Sequence, residues 1–385
     1  MGAERVKLGV IGVGGMGAGH CKTCEGIEEI ELAAVSDVSP ARAQEVGEQF
    51  GVPHFSDHKE LIGAGLADAV VIATPHWSHP PIAVDAFEAG LHVLSEKPIG
   101  VSIGMAEKMA EAAKKSGKVF SVMFQMRTTA AVRKAIELVR TGELGEVKRT
   151  LLVSPEFRSQ AYYNSGTWRA TWAGEGGGVM LNQAPHIMDV FVELGGLPAR
   201  VTGYCRTQMH DIEVEDHAEA MLEYENGATG FFHVSTCEIG ERTLEIVGDK
   251  GKLRLVGGKL SFCRFVPSLS EFNRTNTEMW GSPKVEEVDL EIEECEHGHQ
   301  VVLRDFARAI LHGEPLVAPG EVGLGSLELA NAIILSSKKG APVELPIDRG
   351  EYDKLLEELC ATSKFKGDWD ATSVETDPAF KKKKK

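Results

Sequence analysis

The chain has 385 residues, 43% apolar and 25% charged, with a formal net charge of −16; that length predicts two domains and a sizeable core. Five of its 41 basic residues form the terminal run Lys381–Lys385, and the remaining 36 face 57 acidic residues, a balance that speaks against nucleic acid or an anionic membrane as partner. No run approaches the roughly 20 apolar residues of a membrane helix, and the start MGAERVKLGVIG lacks a signal peptide's apolar core and cleavage site, so a cytoplasmic location is expected.

Val6 to Ile11 is a short apolar run of the kind that forms a buried parallel strand. Gly12-Val13-Gly14-Gly15-Met16-Gly17 follows at once, and a helical stretch leads on from it. A G-x-G-x-x-G carries weight only in context, and here the context is present: a second apolar strand over 31–36 closes with Asp37, 20 residues past Gly17. In that arrangement Gly12 permits the tight turn, Gly14 lets the backbone approach a pyrophosphate and Gly17 lets the helix pack closely. The helix N-terminus offers unpaired N–H groups to the anion. Asp37 is expected to accept from both hydroxyls of the adenosine ribose and to repel a 2′-phosphate, which favours NAD over NADP, with Arg42 as the counterweight. Cys21 and Cys24 read as packed helix residues, and the seven scattered cysteines suit a reducing compartment.

Apolar runs at 69–73, 91–94 and 119–123 alternate with helical stretches at 82–89 and 105–115. Such alternation predicts an α/β fold with a doubly wound parallel sheet. Ligands bind beyond the carboxyl ends of such strands, which singles out Thr74-Pro75-His76, Ser95-Glu96-Lys97-Pro98 and Gln125-Met126-Arg127.

Past residue 128 the pattern changes, and the expected division is 1–127, 128–365 and a tail at 366–385. A helix is expected over 130–140. The segment 158–172 concentrates aromatic and arginine residues in a chain only 6% aromatic, and Tyr163, Trp168 and Arg169 are expected to form a wall that stacks on sugar rings and bonds their hydroxyls or acidic groups. After Gly176-Gly177-Gly178 comes LNQAPHIMD, in which Asn182, His186 and Asp189 are spaced i, i+4, i+7 and are expected on one helical face. Strands at 218–225 and 228–235 flank the hairpin signal Asn226-Gly227, and further strands follow at 243–247, 252–256 and 259–263. Helices are expected at 299–311 and 324–338. Glu296-His297-Gly298-His299 is a loose metal motif, and no metal is expected because nicotinamide chemistry does not require one.

The glycine loop, Asp37, Ala73-Thr74-Pro75-x-x-x-His79, Glu96-Lys97-Pro98 and the glycine triplet with His186 stand in an order that resembles the Gfo/Idh/MocA family (glucose-fructose oxidoreductase, inositol dehydrogenase, rhizopine catabolism protein) over roughly residues 6–346. The resemblance implies a Rossmann domain and a C-terminal α+β domain with an open, mainly antiparallel sheet, the active site between them and a homo-oligomer, dimer or tetramer, joined through that sheet. It implies hydride transfer between a nicotinamide and a secondary alcohol or ketone of a sugar, sugar derivative or cyclitol, with Lys97 and His186 catalytic. Cofactor contacts are expected from Gly12, Val13, Gly14, Gly15, Met16, Gly17, Asp37, Arg42, Thr74, Pro75, His76, His79, Glu96, Lys97 and Gln125. Many relatives carry aspartate where this chain has Asn182; an amide orients a hydroxyl but does not hold its proton, so proton transfer is expected to rest on Lys97 and His186. Two alternatives follow from the same resemblance: an NAD-dependent glycoside hydrolase working by transient oxidation, elimination, hydration and re-reduction, and a non-catalytic dinucleotide-sensing regulator.

Overall fold

The computed structural model describes residues 5–365; the expected tail and the lysine run lie outside them. Six parallel strands form the first sheet: β1 (Val6–Ile11), β2 (Ile30–Ser36), β3 (His54–Phe55), β4 (Ala69–Ile72), β5 (His92–Ser95) and β6 (Phe120–Val122), in the order β3-β2-β1-β4-β5-β6. The β1–β4 and β4–β5 pairs bury β4 on both faces, which is why it reads as an unbroken apolar run rather than an alternation.

Nine strands form the second sheet: β7 (Val147–Pro155), β8 (Arg200–Arg206), β9 (His217–Glu223), β10 (Thr229–Ser235), β11 (Thr243–Gly248), β12 (Gly251–Val256), β13 (Lys259–Val266), β14 (Lys284–Glu287) and β15 (Val343–Glu344), ordered β14-β13-β12-β11-β7-β10-β9-β8-β15. All pairs are antiparallel except β7 with β10. Asn226-Gly227 closes the β9–β10 hairpin: Gly227 takes φ 83°, and the Asn226 side chain accepts from Ala228 N at 3.0 Å. Alternate residues of β9 and β10 are buried against the helices Val322–Lys339 and Pro185–Gly195, and the other face is open.

The chain does not stay on one side of residue 128. The helix His299–His312 returns to the first sheet, where Val302, Leu303, Phe306 and Ala307 share a core with Val6, Leu8 and Val10. The segment after it continues the sheet edge, with Val122 N donating to Ala318 O at 3.1 Å and Gly320 N to Phe120 O at 2.9 Å. A second, larger core runs through both sheets, from Ile72 and Val93 to Phe191, Leu222 and Ile333. The segments beyond β4, β5 and β6 are thereby pressed against the loop and helix that precede β8.

Candidate active site

The glycine loop is built by contact as much as by conformation. Gly12 has φ 83°, and a Cβ there would lie 2.9 Å from the Ala73 carbonyl; a Cβ on Gly17 would lie 1.8 Å from Gly12 O. At Gly14 a Cβ would meet nothing within 4 Å, so the peptide is open to a close-approaching phosphate ahead of the helix Gly15–Cys24. Asp37 closes β2 with Oδ2 accepting from Val13 N and Oδ1 from Ser39 N, both at 2.9 Å. Arg42 lies across the same loop, its Nε donating to Val13 O at 2.7 Å and its Nη1 to Glu45 at 2.8 Å. The buried Thr74 hydroxyl and the Gln125 Oε1 have no hydrogen-bond partner among the described residues. An open glycine peptide, a terminal carboxylate and orphaned polar atoms on the same sheet edge fit a dinucleotide.

Lys97 follows β5, and the Lys97–Pro98 peptide bond is cis. Its placement rests on two buried anchors that the sequence reading had put among the cofactor ligands. Glu96 turns inward, its Oε1 2.7 Å from His20 Nε2 and its Oε2 accepting from Lys97 N at 3.2 Å. Burial opposes its charge, but the His20 hydrogen bond and the charges of His20, His299 and Lys97 outweigh it and hold the carboxyl down at about 2. His79 is fully buried, with Nδ1 2.7 Å from Pro98 O and Nε2 2.7 Å from Thr74 O. Both nitrogens are thus occupied in clamping the segment after β4 to the turn that carries Lys97. His76 likewise faces inward, Nδ1 3.0 Å from Glu175 O, and burial pushes its pKa down.

Lys97 Nζ donates to the Asn182 carbonyl at 2.9 Å. Asn182 itself stands in a turn, because the helix begins only at Pro185, whose fixed φ suits the first helical position. The expected helical stripe of Asn182, His186 and Asp189 is therefore corrected: only the last two are helical. His186 and Asp189 meet different residues of the short turn Gln125–Thr128. Gln125 Nε2 lies 3.2 Å from His186 Nε2, and His186 Nδ1 has no hydrogen-bond partner among the described residues. Burial, reinforced by the Lys97 charge, keeps this imidazole far below its usual pKa and therefore neutral. Asp189 does not orient His186. Its carboxylate takes a two-pronged contact from Arg127, at 2.6 and 2.7 Å, which locks the helix to the first sheet.

The residue that the sequence reading missed is Glu175. It is 1% exposed, its Oε2 accepts from Ala170 N at 2.6 Å, its Oε1 accepts from the Asn182 amide, and Arg169 Nη1 lies 3.6 Å away. Burial raises its pKa against the opposing Arg169, Ala170, Asn182 and Lys97 interactions. Ala170 holds φ 58°, a strained value for alanine, with its N–H aimed at this carboxylate. The triplet itself is demanded by packing: a Cβ on Gly176 would lie 2.3 Å from Val101 Cγ1, and one on Gly178 would lie 1.9 Å from Glu215 O.

The residues expected to form the aromatic wall are divided between two places. Arg169 stacks over Trp168 at 4.7 Å and over Tyr162 at 4.6 Å, and it donates to the Tyr162 hydroxyl at 2.8 Å. Gln183 donates to the same hydroxyl at 3.0 Å. Tyr163 is corrected: it is 4% exposed, bonds Thr236 Oγ1 at 2.7 Å and packs on His210, so it supports the loop from below, and Tyr162 is the tyrosine beside Arg169. In the Glu296–His299 motif, Glu296 pairs with Arg304 and the His299 ring packs on His20.

Residues 6–124 match the model of an oxidoreductase family with an NAD-binding Rossmann fold, and residues 132–254 match that of the GFO/IDH/MocA C-terminal domain. Among curated proteins, the chain is 24% identical over 348 residues to myo-inositol 2-dehydrogenase of Thermotoga maritima, covering 88% of this chain and 98% of that one. It is 25% identical over 356 residues to the NAD-dependent scyllo-inositol 2-dehydrogenase of Bacillus subtilis, covering 90% and 98%. Among solved structures, the WlbA dehydrogenase of Bordetella pertussis, in complex with NADH and UDP-GlcNAcA, is 27% identical with a TM-score of 0.75, covering 90% of this chain and all of that one.

Proposed function

This chain belongs to the Gfo/Idh/MocA family of nicotinamide-dependent oxidoreductases, and from that premise we propose that it uses NAD to oxidise a secondary hydroxyl of a sugar, sugar derivative or cyclitol, or reduces the corresponding ketone. The observation that carries the reading is the meeting of Lys97, the neutral His186 and the Glu175–Asn182 pair beside the Trp168–Arg169–Tyr162 wall. A bound nicotinamide supplies the hydride exchange with the carbinol carbon. Lys97 Nζ takes the hydroxyl proton as the neutral amine, or returns it as the ammonium in reduction, and His186 Nδ1 bonds the same oxygen. Glu175, fixed by Ala170 N and Arg169, accepts from the Asn182 side-chain amide and so holds that side chain in place, next to the backbone carbonyl that Lys97 reaches. The planar Arg169 fork and the aromatic faces favour a polyhydroxylated ring over a simple alcohol.

Choice of cofactor follows from Asp37. Its carboxylate is already part of the loop and repels a 2′-phosphate, and Arg42 is committed to Val13 O and Glu45. We expect kcat/KM with NADP to be at least about tenfold below that with NAD, corresponding to about 1.4 kcal/mol, and Asp37→Ser to narrow the gap. The test offers the purified protein NAD or NADP with a panel of cyclitols, hexuronates and aryl glycosides. NADH accumulating with a free polyol supports a dehydrogenase. Aglycone release without net NADH shifts the reading to a hydrolytic cycle, and nucleotide binding with neither reaction shifts it to a sensor. The open sheet face, on which Met221 pairs with Phe231 and Phe231 with Leu151 across the strands, is the surface we assign to a second copy of the chain.

A further inference from the structure

On the open face of the second sheet, away from the nicotinamide chemistry, two histidines and a carboxylate converge. His217 and Glu219 lie on β9 and His233 on β10, where His233 stands directly opposite Glu219. His217 Nε2 lies 3.6 Å and His233 Nδ1 3.3 Å from Glu219 Oε1, and one ligand atom from each of the three residues falls within 4.8 Å of the others. Zinc bonds of 2.0–2.2 Å require ligand–ligand separations of about 3.3–3.5 Å in a tetrahedron, so the two carboxylate contacts already have the length of tetrahedral edges.

A second carboxylate stands behind His233. His233 Nε2 is hydrogen-bonded to Glu238 Oε1, so a cation taking the place of the proton on Nδ1 would leave the remaining ring proton on Nε2, where Glu238 accepts it. A carboxylate behind a ligating imidazole is the usual outer partner of a metal-bound histidine. The three side chains lie on the face assigned above to a second copy and are partly exposed in a single chain, at 18%, 44% and 12%, so the remaining coordination position is open to water or to a group of that copy. We propose that His217 Nε2, Glu219 and His233 Nδ1 form a zinc-binding site, with Glu238 orienting His233.

The other metal-like group among the described residues, His210, Asp216 and Cys237, is spent on structure. Asp216 accepts from the backbone of Gln208, Met209 and His210, and the second nitrogen of His210 faces Arg158 O. The ligands of the β9–β10 site are assembled by cross-strand register, so no spacing along the chain marks them.

The test is zinc content after incubating the full-length protein with zinc chloride and desalting it, read by elemental mass spectrometry, with the melting temperature as a second readout. The expected result is about one zinc per chain, a zinc-dependent rise in melting temperature, and loss of both in His217→Ala/His233→Ala and in Glu219→Gln. Glu238→Gln should weaken binding by about 10- to 100-fold, and Cys237→Ser should leave it unchanged. Wild-type protein that retains no zinc overturns the proposal, since His233 then serves as a cross-strand ion-pair partner alone. Zinc that persists in the double histidine variant, or disappears with Cys237→Ser, overturns it as well by placing the metal elsewhere. The readouts do not depend on turnover, so this proposal and the dehydrogenase reading fail separately.

Discussion

Replacing Lys97 with methionine is expected to lower turnover by about 10²- to 10⁴-fold, the range for removing a positioned acid–base group, while NADH affinity changes only a few-fold. Methionine keeps the length and apolar stem and removes the ammonium that reaches Asn182 O. Arginine is not a conservative alternative, because its planar fork does not occupy the place of a point donor and does not release a proton near neutral pH. Steady-state kinetics with the best polyol, together with a fluorescence titration of NADH, separates the two effects. Equal losses in kcat and kcat/KM with unchanged NADH binding mark an interaction made in the transition state. A Lys97→Met enzyme within tenfold of wild type would exclude Lys97 as the proton carrier.

The second large effect lies one turn along the His186 helix. Arg127 and Asp189 are 4% and 1% exposed and joined by two bonds. Arg127 also reaches Glu193 Oε2 at 3.0 Å, and these acidic partners raise its pKa against the burial that lowers it. Arg127→Met strands the Asp189 carboxylate in the core, for which about 3–5 kcal/mol of destabilisation is expected. Removing both charges in Arg127→Met/Asp189→Leu should recover most of that loss, since the penalty belongs to the orphaned charge rather than to the missing pair. Urea unfolding measures both. The double variant also tests positioning: if the pair does no more than stabilise, its turnover returns with its stability, whereas a shifted helix leaves kcat low in a well-folded protein.

How much of this was legible beforehand depended on whether the physics was local. The glycine loop, β1, β2 and Asp37 lie within 32 consecutive residues (6–37), and each glycine's role follows from its own spacing, so this part reads directly. The Asn226-Gly227 hairpin is local in the same way. β7 was missed although it is central to its sheet, because it opens with Val-Lys-Arg and its burial alternates only from Thr150 onward. The helix His299–His312 was found, but nothing in its amphipathic pattern tells that Val302 and Phe306 pack on the first sheet. Asn182 was put on the helix even though Pro185 was there to mark the first turn, a signal that outranks an i, i+4 spacing. Glu175 carried no signal as an acid before a glycine triplet. Only the fold shows that its carboxylate is buried against the Asn182 amide.

The central claim is that Lys97 and His186 manage the proton of a ring hydroxyl while a nicotinamide exchanges hydride with its carbon. The most direct test mixes NAD-loaded protein with excess polyol in a stopped-flow instrument and follows reduced nicotinamide in the first turnover, for wild type and for Lys97→Met. The account predicts a burst approaching one reduced nicotinamide per bound NAD in the wild type, and a burst slowed at least about a hundredfold in the variant. A burst of equal rate in both proteins, or NAD binding without reduction by any cyclitol or sugar, would contradict it.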